Sequence, residues 1–150
     1  EELNKLNFSS KGFLTGSVDL VFTDNESIKQ ARWWILDWKS NWISDPSGEG
    51  EDNNCGPRHY SNAAMENQML IHHYPLQSHL YLVALHRYLS WRLPNYTPEK
   101  HLGGYIYIFL RGIPSPESIK ENPKTKDLPG LILEKAPCQR IRKLNQILKG

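Results

Sequence analysis

The stretch Trp33-Trp34-Ile35-Leu36-Asp37-Trp38-Lys39-Ser40-Asn41-Trp42 constrains this chain more than any other. Five of its first six residues are aromatic or aliphatic types that suit a pleated, half-buried surface, and Asp37 is the exception. Residues 33–39 therefore read as a strand. Residues two apart on a strand share a face, so Asp37 and Lys39 project side by side from an otherwise apolar element. Buried charge is costly unless it is paired or binds a metal. A structural salt bridge would satisfy this pair, and so would a working site.

A second carboxylate lies upstream, within residues 12–22. Asp19 sits inside Val18-Asp19-Leu20-Val21-Phe22, where a solvated acid is not expected. This segment also reads as a strand. The polar run Thr23-Asp24-Asn25-Glu26-Ser27 follows it, with no apolar stretch for a helix before Trp33, so an antiparallel hairpin is the simplest connection. A hairpin can bring Asp19 to Asp37. Two carboxylates and one lysine are the minimum set for a hard divalent cation such as Mg²⁺, which takes oxygen ligands and keeps several waters. Lys39 would stand beside a bound water or a phosphate oxygen.

The rest of the chain supplies a scaffold. Residues 44–59 are rich in Gly, Pro, Asn and Asp and read as a flexible loop leaving the second strand. It is either a flap over a substrate or a plain connection. Residues 60–73 read as a helix capped by Ser61 or Asn62. Pro75 suits the first turn of a second helix that runs to about Leu93, before Pro94. On that helix Gln77 and Tyr81 share a face. Leu82, Leu85 and Leu89 form one apolar stripe, Tyr81, Leu85 and Tyr88 another, and His79, His86 and Ser90 a face expected to meet solvent. Residues 103–110 are apolar on both faces, as a central strand would be. Arg111 stands at its end, able to touch a phosphate or pair with an acid. Residues 113–136 are proline-rich and read mainly as loop. Residues 137–149 read as a final helix with Ile141, Leu144, Ile147 and Leu148 along one stripe.

Composition narrows the function classes. The 150 residues suit a single domain, and no apolar run approaches membrane-spanning length. The net charge is only +2, but residues 111–150 hold nine basic and four acidic side chains, against nine and twelve in residues 1–110. A basic C-terminal part can attract a phosphate backbone or simply be a solvated helix face. Cys55 and Cys138 are far apart and read as reduced thiols. Cys55 and His59, followed by His72-His73, match no standard zinc spacing. There is no Walker-type glycine loop.

Asp19 followed by Asp37-Trp38-Lys39 fits the PD-(D/E)XK nuclease pattern, and Gly16-Ser17-Val18-Asp19 resembles the GxxD form of its first half. Leu36 to Trp42, Gln77-Ser78-His79-Leu80-Tyr81, Leu85 to Leu89 and Gly103 to Gly112 then follow in order. Together, from about Gly12 to Gly112, they closely resemble the C-terminal nuclease domain of the RecB family, the β chain of exodeoxyribonuclease V. The resemblance implies an α/β fold with a restriction-endonuclease-like core, a small mixed sheet flanked by helices. It implies Mg²⁺ held by Asp19, Asp37 and the Trp38 backbone carbonyl, a site that Mn²⁺ or Ca²⁺ can also occupy, with Lys39 as the third catalytic residue. It assigns Gln77 and Tyr81, a Gln-x-x-x-Tyr motif, to positions beside the metal and on DNA. The parent chain would be a bacterial, cytoplasmic helicase–nuclease working with RecC-like and RecD-like subunits in recombinational repair of double-strand breaks. A degenerate member that binds DNA or partner subunits without cleaving is the alternative. The family also supplies an upstream His or Glu ligand, from a helix that this chain begins too late to include. Some relatives carry an iron–sulfur cluster on four cysteines, which two cannot build.

Overall fold

The structure, a computed structural model, describes residues 15–43, 55–121 and 128–148, without the side chains of residues 120 and 121. The expected lead-in at residues 1–11 and most of the 44–59 loop lie outside them. Four strands form one mixed sheet in the order β1 (Leu20–Thr23), β2 (Trp33–Lys39), β3 (Leu102–Phe109), β4 (Leu131–Lys135). β1 and β2 are antiparallel, β2 and β3 parallel, β3 and β4 antiparallel. The fold is α/β, as expected.

A parallel pair cannot be closed by a tight turn, and the crossover here is helical. It runs through α1 (Asn62–Ile71), α2 (Tyr74–Arg92) and the single turn α3 (Pro98–His101). Ser61 caps α1, its hydroxyl accepting the Ala64 N–H. His73, in the left-handed region at φ 54°, turns the chain between the two helices, and Pro75 lies in the first turn of α2. Ser78, Leu82, Leu85 and Leu89 of α2 are buried along one stripe. The three leucines join Tyr60, Met65 and Met69 against Ile35, Tyr105, Tyr107 and Phe109 of the sheet. The second expected stripe fails at Tyr88, which is exposed. His79 and His86 are half-buried rather than solvated. His79 Nδ1 lies on the Pro75 carbonyl and His86 Nδ1 on the Tyr96 hydroxyl.

Two expectations need correction. The first strand is short: regular pairing covers only four residues, and Asp19 lies just before it, exposed to solvent rather than inside an apolar strand. The described residues of 113–136 are not mainly loop. They contain α4 (Pro116–Glu121) and β4. Leu131-Ile132-Leu133 lies between Pro129-Gly130 and Pro137, an apolar run bounded by turn residues. β4 as a whole pairs with Gly104 to Ile108, which makes β3 central. The final helix, α5 (Cys138–Ile147), packs on α2: Ile141 is fully buried, and Arg87 Nε donates to Asn145 Oδ1 at 2.7 Å. No helix among the described residues is long and apolar enough to cross a membrane.

Candidate active site at the C-terminal end of the second strand

The register of the sheet decides what meets what. Ile35, Asp37 and Lys39 pair with Tyr105, Tyr107 and Phe109, so all six point to the face that α1 and α2 cover. Asp37 and Lys39 are accordingly buried, at 6% and 7% exposure. The Lys39 ammonium lies 2.5 Å from Asp37 Oδ2 and donates to Gln77 Oε1 at 2.9 Å. It also sits over the Tyr74 ring at 3.9 Å and the Tyr107 ring at 4.7 Å. A cation over an aromatic face is stabilised by the ring quadrupole, more so when desolvated. Lysine can be buried here because a carboxylate, an amide oxygen and two rings replace water around it.

The Gln77 amide is oriented by its neighbours. Its Oε1 accepts from Lys39 and, at 3.2 Å, from the Tyr107 hydroxyl, while its Nε2 donates to the Tyr81 hydroxyl at 3.0 Å. The opposite orientation would aim an NH₂ group at an ammonium. The single proton of the Tyr107 hydroxyl is shared between Gln77 Oε1 and the Tyr74 carbonyl, the nearer at 2.9 Å. Burial, and then the charge of Asp37, push the Tyr107 phenol well above its usual range, so it stays a donor. Tyr74 and Tyr107 are the site residues that sequence reasoning missed. Tyr107 reads as one more apolar strand residue, and only the parallel register shows that it faces Asp37.

Asp19 arrives from β1. The pairing of Leu20 with Leu36, continued one step, sets Asp19 opposite Asp37. Asp19 Oδ2 accepts the Trp38 backbone N–H at 2.9 Å. A first carboxylate is thereby tied to the residue between the second carboxylate and the lysine. Gly16 lies against Tyr81: a Cβ there would meet the tyrosine ring at 3.4 Å. The structure thus brings Asp19, Asp37, Lys39, Gln77 and Tyr81 into one cluster. Arg111 is separate. It is exposed, follows β3, donates to the Ser40 carbonyl and has its guanidinium 5.5 Å from the centre of the Trp42 ring.

Asp19, just before β1, and Asp37, on the neighbouring β2, present oxygen donors side by side. That donor type fits a hard divalent cation, and Mg²⁺ commonly uses one or two protein carboxylates with water in the remaining positions. Among the described residues no three His, Cys, Asp or Glu side chains come together as a metal-holding group. Among the described residues, Cys55 and His59 have other partners. The Cys55 sulfur lies 3.0 Å from the Tyr60 hydroxyl, and both nitrogens of His59 are engaged, by the Gly56 N–H and by Arg58.

No protein-family model matches the chain. Individual proteins do. The RecBCD enzyme subunit RecB of Escherichia coli K12 is 42% identical over 114 residues, 76% of this chain and 8% of that protein. RecB of Mycolicibacterium smegmatis is 44% identical over 103 residues, 69% of this chain and 9% of that protein. RecB of Buchnera aphidicola subsp. Baizongia pistaciae is 34% identical over 145 residues, 96% of this chain and 10% of that protein. The chain therefore spans about a tenth of the length of these relatives.

Proposed function

Because this chain is a RecB-type segment, similar to RecB subunits over most of its length, we propose that it is a single nuclease module that hydrolyses the phosphodiester bonds of DNA with a divalent cation, Mg²⁺ in the cell. The observation that carries this reading is the buried Asp37–Lys39 pair with Asp19 bonded to the residue between them. Asp19, Asp37 and the Trp38 carbonyl would hold the ion. When bound, the ion supplies an activated water and neutralises charge that builds on the phosphate. The chain's own residues do the positioning. Asp37 and Gln77 take two of the ammonium's three N–H directions, which leaves Lys39 one donor for an attacking water or a phosphate oxygen. Tyr81 and Tyr107 hold Gln77, and through it Lys39.

The test is cleavage of linear single-stranded DNA with Mg²⁺. The wild-type chain is expected to cleave and Asp37→Ala to lose cleavage; near wild-type activity in the variant would sink the assignment. The parent protein is proposed to work as a bacterial, cytoplasmic helicase–nuclease subunit beside RecC-like and RecD-like partners in double-strand break repair. One observation favours a second reading: two carboxylates, not three, meet among the described residues. A module that binds DNA or partner subunits without cleaving would give no products from this chain or from one extended toward its N-terminus. Cleavage by the extended chain alone would mean that a further ligand upstream completes the site.

A further inference from the structure

Beyond the catalytic cluster, the chain leaves a large aromatic residue in the open at the same end of the sheet. Trp42 is 51% exposed. It follows β2 by three residues, and Arg111 follows β3 by two. Both therefore lie past the C-terminal ends of the parallel pair, the end at which Lys39 also stands and where open α/β sheets bind ligands. An exposed tryptophan on a mobile loop would carry little weight, but this one stands on a built support. The Tyr60 hydroxyl donates to the Asn41 carbonyl at 2.7 Å and lies 3.4 Å from the Ile43 N–H. The Tyr74 hydroxyl donates to the Asn41 side-chain oxygen at 3.0 Å. Burial, then the Cys55 sulfur, push the Tyr60 phenol up to about 12, so it remains a donor. The backbone on both sides of Trp42 is thus fixed, and Arg111 bonds to Ser40 on the same segment.

We propose that Trp42, backed by Arg111, is a nucleobase-stacking subsite that holds single-stranded DNA at the mouth of the site. The inference rests on the nuclease reading and adds a contact to the base, whereas the catalytic cluster addresses only the phosphate. Every base has a π-face, so an indole platform accepts any sequence, and an adjacent guanidinium adds charge for the backbone. The arrangement leaves the ring's remaining surface to the ligand while the cation side is taken by Arg111.

The experiment measures binding of an oligothymidylate and of an abasic strand of equal length, with Ca²⁺ in place of Mg²⁺, beside cleavage with Mg²⁺. Trp42→Leu keeps an apolar side chain but no π-face; Trp42→Phe keeps the π-face. Trp42→Leu is expected to bind oligothymidylate about ten-fold more weakly, in the range found when one stacking platform is lost. Its affinity for the abasic strand should match wild type, and Trp42→Phe should bind both nearly as wild type does. Equal affinity of wild type and Trp42→Leu for oligothymidylate, with cleavage intact, overturns the stacking subsite and leaves the nuclease reading standing. Parallel weakening on both strands overturns it too, because the loss then lies in the backbone contact or the fold. A wild-type chain that binds neither strand overturns the subsite, and absence of cleavage by this chain and by the extended one overturns the nuclease reading as well.

Discussion

At the scale of the residue, the burial of Lys39 is the most demanding feature of this molecule. Removing one member of a buried pair leaves the other charge uncompensated and costs about 3–5 kcal/mol, whereas replacing both can be nearly neutral. Lys39→Met should therefore lower stability by roughly 3 kcal/mol in urea denaturation, and Asp37→Asn combined with Lys39→Met should recover most of that loss. On the nuclease reading the double variant stays inactive, so stability and cleavage part company. Were cleavage to return with stability, the pair would be a structural salt bridge and nothing more. Tyr107→Phe makes a milder test. It deletes one hydroxyl that bonds Gln77 and Tyr74 and should cost about 1 kcal/mol. It is expected to reduce turnover more than DNA affinity, since Gln77 loses one of the partners that hold it on Lys39.

At the scale of the element, the β3–β4 pairing has a position with no room for a side chain. Gly104 has φ 155°, and a Cβ there would fall 1.9 Å from the Glu134 carbonyl oxygen. Gly104→Ala must push β4 away or distort β3, and a loss of about 2 kcal/mol or more in thermal or urea denaturation is expected. The β1–β2 turn carries a pH-dependent clasp. Asp24 accepts the Arg32 backbone N–H at 2.8 Å and the Trp34 indole N–H at 3.2 Å, which hold its carboxyl below the ordinary value of 3.8. A carboxyl depressed by folding stabilises above its unfolded pKa and stops doing so as pH falls through the folded one. The stability gap between wild type and Asp24→Ala should thus be full at neutral pH and close below about pH 4. Asp24 is exposed, so the gap itself is small. Much of the element plan was legible in the sequence. Residues 33–39 and 103–110 are near-continuous apolar runs, and Ser61, Pro75 and Pro94 punctuate two helices. β4 was hidden because its three apolar residues, Leu131-Ile132-Leu133, are followed by Glu134 and Lys135 and embedded in a proline-rich region. The reading of Asp19 as an interior strand residue failed for another reason. Among the described residues β1 is an edge strand with one neighbour, and residues at its start keep contact with water.

At the scale of the whole molecule, charge is modest. The net charge is +2, and the cation within the candidate cluster, Lys39, is already paired and buried. Each phosphate neutralised on a single strand contributes a slope of about 0.7 to the fall of log affinity with log salt. Binding to single-stranded DNA should therefore have a shallow slope, about 2 or less, with a substantial part of the affinity surviving at high salt. A steep slope would instead implicate the basic C-terminal part, where Arg140 and Lys143 stand exposed on α5. Of the candidate site, spacing made the shared faces legible, Asp37 with Lys39 on a strand and Gln77 with Tyr81 on a helix, while the roles expected of Gln77 and Tyr81 came from the family resemblance alone. Tyr107 and Tyr74 were not legible, because a tyrosine in an apolar run carries no mark of what its hydroxyl meets. That information lives in the parallel register of β2 and β3, which forms only when the helical crossover closes.

The shortness of β1 has a consequence for how the chain comes to life after synthesis. Asp37 and Lys39 are fixed by the central strands, but Asp19 reaches them only across four pairs of residues at the rim of the sheet. Among the described residues this is the edge of the sheet, and an edge held by so few pairs is expected to open before the centre does. A nascent or partly denatured copy would hold the lysine and one acid yet lack the other, and would be unarmed. On the nuclease reading, destructive chemistry is thereby withheld until the last seam of the fold has closed.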